Sequence, residues 1–284
     1  MIKDSYGNSV KIPAGFKIAS DSGNNVTEGV VIEDVEAGNN YTKGNQYVWV
    51  PVGNVRTNTS GSTKTITLGR YDFESNVAGD LKQSADDYTN VVTINEYFQE
   101  LITTDYNNNS KNLGDFIKKS KEAGGYYIGR FEGGRIDENL SIFNIKKDQT
   151  VLNAWGQTTE LAKNIYNNIN FESDLVNSYA WDTAIIFIQT FSGDSDYSQQ
   201  GSFQTTLTTT GNAHDSNNNY DVRCNIYDMA GNVYEWSTET SIFSHYNCVT
   251  RGDCYYGGRT AGTRDSEDGG NGFASVGFRS ILYL

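Results

Sequence analysis

Three thiols and two imidazoles carry the soft-metal chemistry open to this chain: Cys224, Cys248 and Cys254, with His214 and His245. No Cys-x-x-Cys pair occurs, and two histidines fall short of the ligand sets of zinc sites. Cys224 and Cys248 could form a disulfide closing a loop of about two dozen residues, worth about 3 kcal/mol, or stay two buried thiols. Both alternatives stand. Side-chain oxygens gather at Asp215–Asp221, where they alternate as in an EF-hand loop. Tyr220 holds the glycine position of that pattern, and Ile226 holds that of the bidentate glutamate. Asp194-Ser195-Asp196 is equally incomplete. No cofactor is assigned, and a structural calcium ion is left as an open alternative.

The 284 residues carry a formal net charge of −13, with 37% hydrophobic and 13% aromatic residues. Such a chain can bury a substantial core. Its acidity opposes binding to nucleic acid and to anionic membrane surfaces. No apolar run approaches the roughly 18 residues of a spanning helix, so no membrane insertion is expected. The start, Met1-Ile2-Lys3-Asp4-Ser5, lacks the pattern of a signal peptide; this suits a cytoplasmic or virion protein, or a trimmed ectodomain. The 19 Tyr and 29 Gly against 2 Pro point to many loops with aromatic surfaces.

Short strands and turns fill residues 1–35. Asn45–Val52 is β-branched and aromatic and reads as a strand ending at Pro51 and Gly53. Residues 54–67 suit a loop or exposed hairpin, and Gly69–Phe73 resumes extended chain. Helical periodicity marks Ile94–Thr103 and Gly114–Glu122, the second stopped by Gly124-Gly125. Gly124–Glu132 reads as a strand. Ser173-Asp174 is a candidate N-cap for a helix reaching about Thr190. Residues 192–221 are polar and suit an insertion or surface loop.

The strongest motif is Tyr227-Asp228-Met229-Ala230-Gly231-Asn232-Val233-Tyr234-Glu235-Trp236, followed by Arg251-Gly252-Asp253 and Gly277-Phe278-Arg279. In this order it resembles the "DMxGNVWEW … RGGS … GFR" core of the formylglycine-generating-enzyme family, a branch of the C-type lectin fold. Tyr234 replaces the usual tryptophan. The resemblance implies an α+β, C-type lectin-like fold with antiparallel sheets, two main helices and long loops. It gives scaffold roles to Asn232, Glu235, Trp236, Arg251, Arg264 and Arg279, the arginines pairing with carboxylates or carbonyls. It also explains Arg251-Gly252-Asp253, which spells an adhesive tripeptide, as the family's Arg-Gly-Gly with one residue changed. The family's oxidases hold copper with two cysteines shortly after that element; here those positions fall at about Gly257 and Gly262. With no thiol pair, and too few histidines for the related iron enzymes, no catalytic residue is assigned.

The segment of about 253–275 mixes Tyr, Arg, Ser, Gly and acidic residues without helical or alternating order, the composition of a recognition surface. The chain is here similar to the variable proteins of diversity-generating retroelements, which end a hypervariable stretch just before "GFR". The expected contacts are Tyr255, Tyr256, Arg259, Thr263, Asp265, Ser266, Glu267, Asp268 and Phe273. The chain divides into a 1–44 extension of short strands and a 45–284 lectin-like domain. The resemblance implies a protein or glycan ligand on a cell surface, and a place on a bacterial surface or phage virion. An oxidase with an unfamiliar site, and a structural phage-tail or pilin-tip module, are the rival readings.

Overall fold

A computed structural model describes residues 1–87, 91–93, 97–101, 112–136, 143–151, 158–166, 170–202, 204–243, 247–268 and 275–284. The strands that build the two main sheets are β1 (Phe16–Ile18), β2 (Val31–Asp34), β3 (Gln46–Pro51), β4 (Val91–Thr93), β5 (Phe98–Leu101), β6 (Gly125–Gly129) and β7 (Glu172–Leu175). They continue with β8 (Tyr234–Ser241), β9 (Cys248–Arg251), β10 (Arg264–Glu267), β11 (Val276–Phe278) and β12 (Ser280–Tyr283). The described residues hold three α-helices: α1 (Leu113–Ala123), α2 (Thr158–Asn164) and α3 (Ser178–Phe191). The architecture is α+β.

The first sheet runs β7-β12-β6-β3-β2-β1, antiparallel throughout. Its centre is β3, whose sequence Gln-Tyr-Val-Trp-Val-Pro is buried from Tyr47 to Pro51. The Trp49 ring lies 4.9 Å from that of Tyr127 on β6. Such pairs add to the energy of area burial. The 1–44 stretch is built into this sheet, since Val31–Glu33 pair with β3. The second sheet runs β4-β5-β8-β9-β10, with β11 parallel beside β8. Residues 53–56 and 63–66 form the expected hairpin.

Helix α3 is buried nearly all round from Ser178 to Ile188, as an apolar helix enclosed by other elements must be. Its cap corrects the reading from sequence. Ser173 and Asp174 lie in β7, paired with Leu282 and Ile281, and Asn177 caps the helix by accepting from Ala180 N at 2.9 Å. The sheet took the first pair of capping residues and left the asparagine to the helix. Helix α1 ends as expected at Gly124, in the left-handed region at φ 77°.

A second correction concerns Ile94–Thr103. Where described, the segment is strand β5, with Phe98 and Gln99 opposite Ser241 and Thr240 on β8; residues 94–96 and 102–103 lie outside the described residues. Phe98 and Leu101, three apart, satisfy a helical repeat, but β8 offers an edge that takes up their backbone groups.

Candidate ligand-binding face

The chain leaves β9 at Arg251 and returns in β10 at Arg264, and the loop between them is tied down by its backbone. Gly252 has φ 78°, and a side chain there would meet Met229 O at 2.8 Å. Asp253 is buried, and its carboxylate accepts from Cys254 N (2.8 Å), Arg259 N (3.2 Å) and Ser202 N (2.9 Å). Arg251 and Asp253 thus face inward, and the adhesive tripeptide is not displayed. Residues 198–200 strap the far side: Ala261 N donates to Gln200 O, and Gly262 N to Ser198 O, each at 2.8 Å. Trp181 of α3 donates from Nε1 to Ala261 O at 2.9 Å.

From this base the side chains diverge. Tyr256 is 61% exposed, with its edge to Tyr255 (centroids 5.2 Å) and Tyr234 (6.2 Å), and its hydroxyl is 3.1 Å from Ser275 Oγ. The tyrosine standing for the motif's usual tryptophan therefore props up an expected contact residue. Arg259 is exposed and held by Asp265, with Nε and Nη2 at 2.9 and 2.7 Å from Oδ2. Thr263 turns inward: its hydroxyl accepts from Thr260 N at 3.0 Å and closes the turn. Ser266, Glu267 and Asp268 are half-buried along edge strand β10 and just beyond it. Burial and nearby Asp265 raise the Glu267 carboxyl. Phe273 lies outside the described residues.

Beneath the loop sits a buried charge cluster. Arg251 donates to Asp182 Oδ1 (2.6 Å), Glu239 Oε2 (3.0 Å) and Thr263 O (3.0 Å), with its guanidinium 5.5 Å above the Trp181 ring. Arg264 donates to Glu239 Oε1 (2.9 Å), to Tyr71 O (3.0 Å) and to Asp182, and Arg70 also pairs with Glu239. Burial pushes the Glu239 carboxyl up, but Arg264, Arg70 and Arg251 together outweigh it and hold it down at about 2.

A second cluster surrounds Arg279, which is fully buried and grips both oxygens of Glu235 (2.8 and 3.1 Å), with further bonds to Gly129 O and Tyr227 O at 2.9 Å. Asn232, at φ 67°, donates to Glu132 Oε1 at 2.9 Å and accepts from Gln204 Nε2 at 2.9 Å and Thr208 N at 3.0 Å. Asp228 accepts from Gly211 N at 2.7 Å. Trp236 is buried on β8. The motif's polar residues therefore hold the 204–211 stretch against the sheet.

The three cysteines are free thiols, so the disulfide alternative for Cys224 and Cys248 is set aside. Cys224 lies in the turn of the 222–227 hairpin, with Sγ 3.5 Å from Thr27 O, and burial lifts its thiol to about 12. Cys248 begins β9, between Thr240 and Glu267. Cys254 is buried beneath the tyrosine pair, its thiol raised chiefly by burial. A side chain at Gly262 would meet Phe73 Cβ at 2.9 Å and Ser198 O at 3.0 Å. The packing there leaves no ready space for a metal-binding thiol. The Asp215 carboxylate spends itself on Asn217 N, Asn219 N and Asn219 Nδ2 (2.8–2.9 Å), forming a local turn.

Between this loop and the turn that joins the paired strands 69–72 and 80–84 opens a cavity of about 630 Å³, bordered by Phe73, Glu74, Tyr97, Gln199, Arg259 and Asp265. Phe73, Glu74, Tyr97, Gln199, Trp181 and Tyr234 went unassigned as site residues from sequence. Phe73-Glu74, Tyr97 and Gln199 come from three segments far apart in the chain; Trp181, in a stretch that resembles the family's "VSWxDA" helix, and Tyr234, through its departure from the motif, carried a signal.

No family model and no curated protein matches this chain. Similar solved structures include CarF, 17% identical over 48% of this chain and 56% of that one, with a TM-score of 0.30. The Major Tropism Determinant I1 variant is 12% identical over 84% of this chain and 63% of that one, with a TM-score of 0.31. The two resemblances drawn from the motifs, to formylglycine-generating-enzyme-like proteins and to retroelement variable proteins, each have a counterpart among these structures. The chain spans less than two thirds of either structure, and overlaps of this size carry no functional argument.

Proposed function

We propose that this chain is a non-catalytic binding protein: a C-type lectin-like domain of the formylglycine-generating-enzyme type over residues 45–284. Residues 1–44 add strands to its first sheet, and the 253–275 segment is the variable, ligand-facing part. Its ligand is a protein or glycan on a cell surface, met from a bacterial surface or a phage virion. The observation that carries this reading is the division of labour in the 251–264 loop. Its two ends, with Arg251 and Arg264, are buried, and its amides at 254, 255, 257 and 259–263 are bonded, while Tyr256 and Arg259 stand exposed. Contact residues on a rigid base lose little conformational entropy on binding. The two positions matching the family's copper-binding cysteines, Gly257 and Gly262, carry no thiol, the space being filled at Gly262 and open at Gly257.

Labelled protein titrated onto bacterial cells tests the reading. Tyr255→Ala and Tyr256→Ala together are expected to weaken cell binding at least tenfold, about 1.4 kcal/mol, with the melting midpoint nearly unchanged. Equal binding by the variant and the parent would refute the assignment of these residues.

A further inference from the structure

We propose that the cavity beside the Arg259–Asp265 pair is a pocket for a neutral saccharide, an inference that rests on the loop being the ligand-facing surface. Its volume of about 630 Å³ falls within the roughly 300–1,000 Å³ of small-molecule sites. The floor is Phe73, 1% exposed, and Gly262, whose lack of a side chain leaves Phe73 in close contact. At the rim stands Tyr97, 41% exposed. One face of its ring is stacked on Phe243 (centroids 5.4 Å, 14°), and an aromatic ring held in this way suits the C–H side of a sugar ring.

The polar wall offers both kinds of hydrogen-bonding group. Gln199 commits its amide nitrogen to Phe73 O at 2.9 Å, which fixes its orientation and leaves its carbonyl oxygen as an acceptor. The Glu74 carboxylate accepts no bond among the described residues, and only its backbone N is used, toward Asp72. Arg259 gives Nε and Nη2 to Asp265 and keeps Nη1 available as a donor. A hydroxyl both donates and accepts, so neighbouring hydroxyls can bridge such groups, as an apolar ligand cannot.

Charge and backbone narrow the class. Glu74 and the chain's net charge of −13 oppose an anion, and Arg259 in the same wall opposes a cation. An extended peptide would need free backbone groups to pair with. The amides of Arg259, Ala261, Gly262 and Thr263 are already bonded within the chain, so a peptide would be left with the outer edge of β10 alone.

The test uses the full chain with methyl glycosides of glucose, galactose, mannose and N-acetylglucosamine, and sialic acid as the anionic comparator. Saturation-transfer NMR and calorimetry are read with and without EDTA, alongside Gln199→Met and Glu74→Gln. At least one neutral glycoside should bind with its ring protons against the protein, unaffected by EDTA, and about tenfold more weakly to Gln199→Met. The saturation-transfer signal of the parent protein keeps the test valid should a variant fail to fold. Preference for sialic acid, or loss of binding with EDTA, overturns the proposal. If no glycoside binds while the parent and both variants bind cells equally, the pocket is wrong and the loop reading survives. If the parent binds no cells, the loop reading has failed as well.

Discussion

Glu239→Gln is expected to destabilise the fold by about 3–5 kcal/mol and to lower its melting midpoint by roughly 10 °C. Glu239 is fully buried and receives Arg70, Arg251 and Arg264 at once. Asp182 is the cluster's other carboxylate. With both ionised the cluster carries three positive and two negative charges; with glutamine in place of Glu239, three buried guanidiniums are left with one carboxylate. Removing one partner of a buried pair leaves charge that nothing offsets, whereas exposed pairs such as Arg259–Asp265 contribute about 0–1 kcal/mol. The effect should reach the loop, because Arg251 also holds Thr263 O and packs on Trp181. Thermal melts followed by circular dichroism decide the matter. A midpoint within about 2 °C of the parent would mean that the cluster is dispensable.

Glu132→Gln should act in the opposite direction, and only where the parent is deprotonating. Glu132, Asp221, Asp228 and Glu235 are buried around Arg279 as their one fully buried cation, with Arg223 half-buried nearby. Burial raises all four carboxyls. Asp228 rises further beside Glu132 and Asp221, while Glu235 is moderated by Arg279 and reaches about 7. Glu132 Oε2 and Asp228 Oδ1 have no hydrogen-bond partner, and one proton shared between these carboxyls would satisfy both. The folded state thus holds protons that the unfolded chain releases near pH 4. The resulting stability is full below about pH 4 and is lost as pH rises through the folded values, about 7 for Glu235. A glutamine at 132 can still accept from Asn232 and can donate an N–H to Asp228 at any pH. The variant should gain about 1–3 kcal/mol at pH 8 and show a shallower downward slope between pH 5 and 8, with Glu235 and Asp221 keeping the remainder. Denaturant melts at both pH values check this. A variant less stable at pH 8, with the slope intact, would disprove the shared proton.

The parts of the fold legible in the sequence were those whose signal is local. Gln46–Pro51 declared a strand through its β-branched and aromatic run, and Gly124 stopped α1 because it alone adopts φ 77° without strain. The 98–101 strand was hidden because a sheet edge is a tertiary partner that no local window contains. The charge clusters were half visible: Arg251, Arg264 and Arg279 were expected to pair, yet Asp182, Glu239 and Glu132 went unnamed. Asp182 carried a usable signal, being a lone carboxylate within the apolar run Tyr179–Ile188, where an ionised group must find a counter-charge. Of the candidate site, composition pointed to Tyr256 and Arg259, which are exposed, whereas it carried no sign that the Thr263 hydroxyl closes a turn at the edge of the cavity.

The central claim is that contact side chains sit on a scaffold that does not need them. The most direct measurement pairs a melting curve with a cell-binding titration for one variant carrying Tyr255→Ala, Tyr256→Ala, Arg259→Ala and Ser266→Ala together. The account predicts a midpoint within about 5 °C of the parent, about 0.5 kcal/mol or less per site and roughly 2 kcal/mol in all, and loss of cell binding. A variant that melts as early as Glu239→Gln, or that still binds cells like the parent, would contradict it.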